Sequence, residues 1–280
     1  MNYILSLTTT PERIDCFLNQ LPFFNREHEA ELVIINICNY YKRKDKHFQL
    51  NKRQQKQLNF FNRYKLKYVF NICNDYGAIT KYKGGIEYMK RHNIKNKYLI
   101  IIDDDIFYKY GHFDKLIEHK TNKNITTGNG FNFGKEWTYE KRHNEKCDMV
   151  EGFSGICFDS NQVNNLLLNF IDYMKCVDFN NDDNIINQYL KACCLGDDFI
   201  LSYQYKKKLC INTNKINIYR YGLGEDALHK NNIFGDNMKT YKFLNDNILI
   251  LKTFYNKILL NKHFIKMVQG RRLKKLDACR

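Results

Sequence analysis

A chain of 280 residues, 44% hydrophobic and 15% aromatic, is too apolar to stay disordered, and at this length folding buries about 75% of the unfolded surface. The net charge of +15 favours anionic partners, whether nucleic acid, an acidic membrane surface or a phosphorylated small molecule. Lysines run along the whole length, so the charge also fits the plain codon bias of an AT-rich genome, and its sign alone excludes none of these.

Four short, nearly continuous apolar runs come first: Tyr3–Leu7, Leu32–Ile37, Lys67–Ile72 and Tyr98–Ile102. Runs of this kind suit parallel strands buried on both faces. Helical spacing fills the gaps, at about 14–24, 51–64 and 80–91, which predicts a right-handed βαβ series over the first 110 residues or so. Beyond it, 125–133 and 148–159 read as strands continuing the same sheet. Segments 161–175 and 199–207 read as helices, and 241–268 again has helical spacing. The ten cysteines show no C-x-x-C pair and no finger-like Cys/His spacing, which points to buried, reduced thiols. Met1 to Thr10 lacks the basic and apolar regions of a signal peptide, and no segment has the run of about 18 apolar residues that a membrane span needs. A cytoplasmic protein is the expectation.

Chemistry concentrates where the predicted strands end. Asp103, Asp104 and Asp105 follow directly on the apolar run Ile100-Ile101-Ile102. In open parallel sheets ligands bind beyond the carboxyl ends of strands. An extended backbone would send Asp103 and Asp105 to one side and Asp104 to the other, giving a carboxylate pair suited to Mg²⁺ or Mn²⁺. A solvated acidic turn is the plain alternative. After the first run, Thr8-Thr9-Thr10-Pro11-Glu12-Arg13 offers hydroxyls and a cation for a nucleotide, or else caps the next helix. After the third, Asp75-Tyr76-Gly77-Ala78 leads into Thr80-Lys81, which is either part of the same site or a surface pair.

In this order the three segments resemble the GT-A glycosyltransferases of large DNA viruses and bacterial polysaccharide clusters, over about residues 2 to 205. The resemblance implies a Rossmann-like α/β fold with a mixed, mainly parallel sheet flanked by helices. It implies one domain over 1–235, with a nucleotide-binding half (1–110) and an acceptor-binding half (111–235), followed by a basic helical extension over 236–280. At matching positions Thr8, Arg13, Asp75, Lys81, Asp103 and Asp104 would face the nucleotide, and Asp105 would bind Mn²⁺ or Mg²⁺. A glycine-bearing strand with Gly152, Ser154 and Gly155 would wall the sugar and acceptor site. The later pair Asp197 and Asp198 would supply the general base and an inverting outcome, with helix capping as the simpler role. Ala78 departs from the family, which often has Pro there. Partners implied are a UDP- or GDP-sugar donor and a glycan or glycoprotein acceptor, with no specific nucleic acid.

His229 is a further candidate metal ligand beside Lys230, although a lone His is more often structural. Arg271, Arg272, Lys274 and Lys275 read as a solvated basic face or as a peripheral contact with an anionic membrane. Two other functions fit an acidic triplet on a basic chain: a metal-dependent nuclease or nucleotidyltransferase, and a nucleic-acid-binding module without catalysis.

Overall fold

The computed structural model describes residues 3–27, 29–63, 66–133, 139–142, 145–180, 183–211, 216–217 and 237–252. Its centre is a mixed, mostly parallel eight-stranded sheet. The strands are β1 (Tyr3–Thr8), β2 (Leu32–Cys38), β3 (Tyr68–Cys73), β4 (Tyr98–Ile101), β5 (Ile125–Thr127), β6 (Glu145–Lys146), β7 (Ile156–Asp159) and β8 (Lys208–Cys210). Across the sheet they lie in the order β6-β8-β5-β7-β4-β1-β2-β3. Strands β3, β2, β1 and β4 are mutually parallel, β7 runs antiparallel to β4 and β5, and β8 is parallel to β5. This architecture is compatible with a Rossmann-like fold.

Alternation along the strands builds two cores. Ile4, Leu99, Ile101, Ile156 and Phe158 face one way, while Tyr3, Leu5, Leu7, Ile100, Ile102 and Cys157 face the other. Helices α1 (Ile14–Glu27), α2 (Lys52–Phe61) and α4 (His112–Glu118) cover the second face. The first is covered by α3 (Thr80–Arg91), α5 (Asn165–Tyr173), α6 (Ile185–Leu195), α7 (Asp197–Gln204) and α8 (Asn237–Asp246). Sheets buried on both sides take apolar residues on successive positions, which is why these strands read as unbroken apolar runs.

The βαβ half matches the sequence reading closely. Asn51 and Gln54 form a reciprocal capping box that starts α2, with bonds of 2.9 and 3.0 Å. The later half departs from it. The expected strand 125–133 is two strands, β5 and Gly130–Phe133, and the latter joins Tyr139–Arg142 and Met149–Val150 in a separate three-stranded sheet. The expected strand 148–159 is interrupted by a 3₁₀ turn at Gly152–Ser154 before β7 begins. Helices α4 and α6 were not foreseen, because α4 is only seven residues long and the Cys193–Cys194 end of α6 has no polar face. Segment 161–175 shortens to α5 between 3₁₀ turns. Of the cysteines that are described, Cys38, Cys147, Cys157, Cys193, Cys194 and Cys210 are buried, Cys73 is half-buried and Cys16 is exposed, all as free thiols. No described helix is long and apolar enough to cross a membrane. The basic residues 271–275 lie outside the described residues.

A buried polar network pins α3 to the sheet. The Ser6 hydroxyl donates to the Lys81 carbonyl (2.6 Å), and Asn36 Nδ2 donates to Ser6 Oγ (2.9 Å) and to the Leu7 carbonyl (2.7 Å). Asn71 Nδ2 donates to Asn36 Oδ1 (2.7 Å) and to the Gly84 carbonyl (3.1 Å). All three side chains are essentially inaccessible. Replacing Asn36 with Ala takes a partner from three buried groups at once, Ser6 Oγ, the Leu7 carbonyl and Asn71 Nδ2, at up to about 1–3 kcal/mol for each one left unsatisfied. Asn36→Ala is therefore expected to lower unfolding stability by about 3 kcal/mol in urea denaturation; a loss below about 1 kcal/mol would show the network to be dispensable.

Candidate functional site

The chain winds outward from β1 to β2 to β3 and then returns to place β4 on the other side of β1. At such a reversal the loops leaving the two central strands diverge and open a crevice at their carboxyl ends. Here the loops are Thr9–Arg13 after β1 and Ile102–Ile106 after β4. Because β7 is antiparallel to β4, with Ile156 opposite Ile101, the turn that precedes β7 enters at the same edge. A cleft of about 210 Å³ lies there. Its lining includes Thr8, Arg13, Asp75, Lys81, Asp103, Asp104, Asp105, Gly152, Asp197 and Asp198, so ten candidate residues come together. Ser154 and Gly155 are outside the described lining. Ser154 is fully buried, donates to the Glu151 carbonyl (2.7 Å) and accepts from Asn129 N–H (2.7 Å), which gives it a turn-fixing role. His229 and Lys230 lie outside the described residues.

Two ion-pair systems organise the acids. Arg13 Nη2 sits 2.5 Å from Asp104 Oδ1 and 2.9 Å from Asp105 Oδ2. Lys81 Nζ sits 2.6 Å from Asp103 Oδ1 and 3.1 Å from Asp197 Oδ2. The sequence-based expectation that Asp103 and Asp105 share a side is thus corrected: Asp104 and Asp105 converge on one guanidinium, and Asp103 turns to Lys81. Strand β4 ends at Ile101, so side-chain alternation no longer governs the three acids. The Asp103 N–H donates to Tyr108 Oη (3.1 Å), and that hydroxyl donates to the Phe153 carbonyl (2.8 Å), which ties the acidic loop to the Gly152 turn.

Gly152 makes the close approach feasible. Its N–H donates to Asp198 Oδ1 (2.8 Å), and a β-carbon there would lie 2.9 Å from that oxygen and 3.0 Å from Lys81 Nζ. Any side chain would wedge the acid and the ammonium apart. Asp198 Oδ2 also meets the Tyr241 hydroxyl at 3.5 Å, which brings α8 to the cleft. Gly77, at φ 75, turns its α-carbon against the Cys194 carbonyl, so a β-carbon would both clash and strain the backbone. Asp75 fixes this loop by accepting from Gly77 N–H (2.8 Å) and from Lys42 N–H (3.0 Å). Thr8 Oγ1 donates to the Asn36 carbonyl at 3.3 Å.

Sequence reasoning missed the hairpin Tyr40–Tyr41 with Lys46–His47, which brings Tyr41 and Arg43 into the lining. Arg43 lies over the Tyr41 ring at 4.8 Å. Strands this short leave no periodic signal. Tyr241 was missed because apolar spacing alone places it in a core.

Six lining carboxylates face three lining cations, Arg13, Arg43 and Lys81. Burial, with repulsion from Asp105 and Asp103, pushes the Asp104 carboxyl up to about 7 against the pull of Arg13. Burial and Asp103 likewise raise Asp105. Burial, then Asp197, raises Asp198 well above the carboxylate range, with Lys81 opposing. Burial alone would lower Lys81, but Asp103, Asp197 and Asp198 outweigh it and hold the ammonium charged. Arg43 is lowered by burial first, with Arg13 acting in the same direction and Asp75 opposing. The cleft therefore has an excess of hard oxygen donors. Among the described residues no three His, Cys, Asp or Glu side chains gather into a metal-holding group.

Removing Lys81 would leave Asp103 and the buried Asp197 uncompensated, a change that costs about 3–5 kcal/mol where an ion pair is broken from one side. Lys81→Met is expected to melt many degrees below the wild type. An unchanged melting temperature would mean that no ion pair holds the halves of the site together. Compared with known protein families and with curated proteins, the chain matches none.

Proposed function

We propose that this chain is a GT-A glycosyltransferase that moves a sugar from a UDP- or GDP-linked donor to a hydroxyl of a glycan or glycoprotein. The observation that supports it most is the meeting of six carboxylates and three cations in one cleft at the strand-order reversal. Crevices at that place in α/β sheets take nucleotides, and the mixture of charges suits a ligand with a diphosphate. Mn²⁺ or Mg²⁺ fits the donor chemistry, with Asp105, whose side chain is 28% exposed, as the residue that would hold it. Such a cation commonly uses one or two protein carboxylates and takes its other ligands from phosphates and water. When bound, it neutralises charge on the leaving diphosphate.

The protein's own groups share the remaining work. Arg13, Arg43 and Lys81 offset phosphate charge, and the turn at Asp75–Ala78 shapes the nucleotide end. Of the acidic pair, Asp197 is held by Lys81, whereas among the described residues Asp198 accepts hydrogen bonds from neutral donors, the Gly152 N–H and the Tyr241 hydroxyl. Its raised proton affinity is in the direction a base needs to take the proton of an acceptor hydroxyl. Direct attack by an acceptor activated in this way inverts the anomeric centre.

Asp105→Ala is expected to stay folded and to lose Mn²⁺-dependent binding in a thermal-shift panel of UDP, GDP, dTDP and single-stranded DNA. Persisting Mn²⁺ dependence would refute the metal assignment. A response to DNA alone would favour the nuclease reading.

Asp198→Asn is expected to retain donor binding while donor-sugar turnover falls about 10²- to 10⁴-fold, the usual range for a lost general base. Turnover within about threefold of wild type would place the base elsewhere.

A further inference from the structure

Arg13 occupies an unusual position for a residue proposed to serve a nucleotide. One nitrogen of its guanidinium bridges Asp104 at 2.5 Å and Asp105 at 2.9 Å, and Asp105 is the acid assigned to the divalent cation. A guanidinium and a divalent cation cannot both neutralise the same carboxylate without repelling each other at short range. The cleft also holds hydrogen-bonding groups in wait for an anion. Thr10 Oγ1 and Arg43 Nε are buried against it and carry no hydrogen bond among the described residues. A diphosphate entering there would offer Arg13 a doubly charged partner with oxygens matched to its planar fork.

We infer that Arg13 is a stand-in cation for the ligand-free site, released from Asp105 to the donor diphosphate as the divalent cation enters, so that metal and nucleotide bind with positive coupling. The inference rests on the proposed glycosyltransferase reading. It assigns Arg13 a second task beyond phosphate contact: blocking metal capture until the nucleotide arrives. Linkage then requires each ligand to tighten the other by the same factor, typically about 5- to 150-fold.

The discriminating readout is Mn²⁺ affinity without nucleotide, measured by calorimetric titration of the full chain. Arg13→Gln frees Asp105 and is expected to tighten Mn²⁺ about tenfold while weakening UDP and GDP. Arg13→Lys keeps the charge and is expected to stay within about threefold of wild type. Arg43→Gln removes a lining cation that makes no ion pair with Asp105, and is expected to leave Mn²⁺ affinity within about threefold. If the Gln variant fails to melt cooperatively, Arg13→Met, which keeps the aliphatic stem, gives the same reading. Unchanged Mn²⁺ affinity in Arg13→Gln, with nucleotide binding weakened, would overturn the inference and leave the glycosyltransferase reading standing. Equal tightening in Arg43→Gln would also overturn it, by assigning the effect to general charge. If no variant binds Mn²⁺ with or without UDP or GDP, both the inference and the reading fall.

Discussion

The site depends on one buried ammonium. Lys81 is 4% exposed and reaches Asp103 on the loop after β4 and Asp197 at the start of α7. These two acids are 94 positions apart in the chain and belong to different halves of it. An unpaired charge at that depth would be untenable, so the fold must bring both carboxylates to it. The Ser6–Asn36–Asn71 network sets where α3 lies on the sheet, and with it the height of Lys81 above the strand ends. Gly152 then permits Asp198 to come within reach of the same point. Packing, polar satisfaction and charge balance all meet at this one position.

The second constraint is topological. Reversal of the strand order between β1 and β4 spreads their exit loops, and the loops carry opposite charges: Arg13 on one, three aspartates on the other. Arg13 ties the two loops together by pairing with Asp104 and Asp105. Burial, and after it the neighbouring carboxylates, leaves Asp104, Asp105 and Asp198 with raised proton affinity, and a divalent cation would offset the charge that these acids and a diphosphate bring together. This is the physical content of the proposed function.

Much of this was legible in the sequence, for identifiable reasons. Three of the four parallel strands, β1, β2 and β4, are buried on both faces, so Tyr3–Leu7 or Tyr98–Ile102 could hardly read as anything else. Acids placed just after such a strand fall at its carboxyl end by necessity. What the sequence hid was non-local. The turn at 152–154 looks like strand because Phe153 stands between Met149–Val150 and Ile156–Phe158, and the bend rests on bonds to residues distant in sequence, Asp198 and Tyr108. The pairing of Arg13 with Asp104 and Asp105 depends on where β4 stops, a boundary that three isoleucines in a row do not mark. Arg43 comes to the cleft on an element too short to announce a site, and Tyr241 on a helix where apolar spacing marks it only as core.

The central claim is that this cleft takes a nucleoside diphosphate together with a divalent cation held by Asp105. A crystal structure of the chain with Mn²⁺ and UDP or GDP tests it most directly, because anomalous scattering locates the metal independently of the nucleotide. The account predicts a manganese peak about 2 Å from an Asp105 oxygen, with diphosphate oxygens completing its shell. Arg13 should have turned from Asp105 to the phosphates, and Lys81 should remain between Asp103 and Asp197. Nucleotide bound away from the Asp103–Asp105 loop, or a metal peak without Asp105 among its ligands, would contradict it.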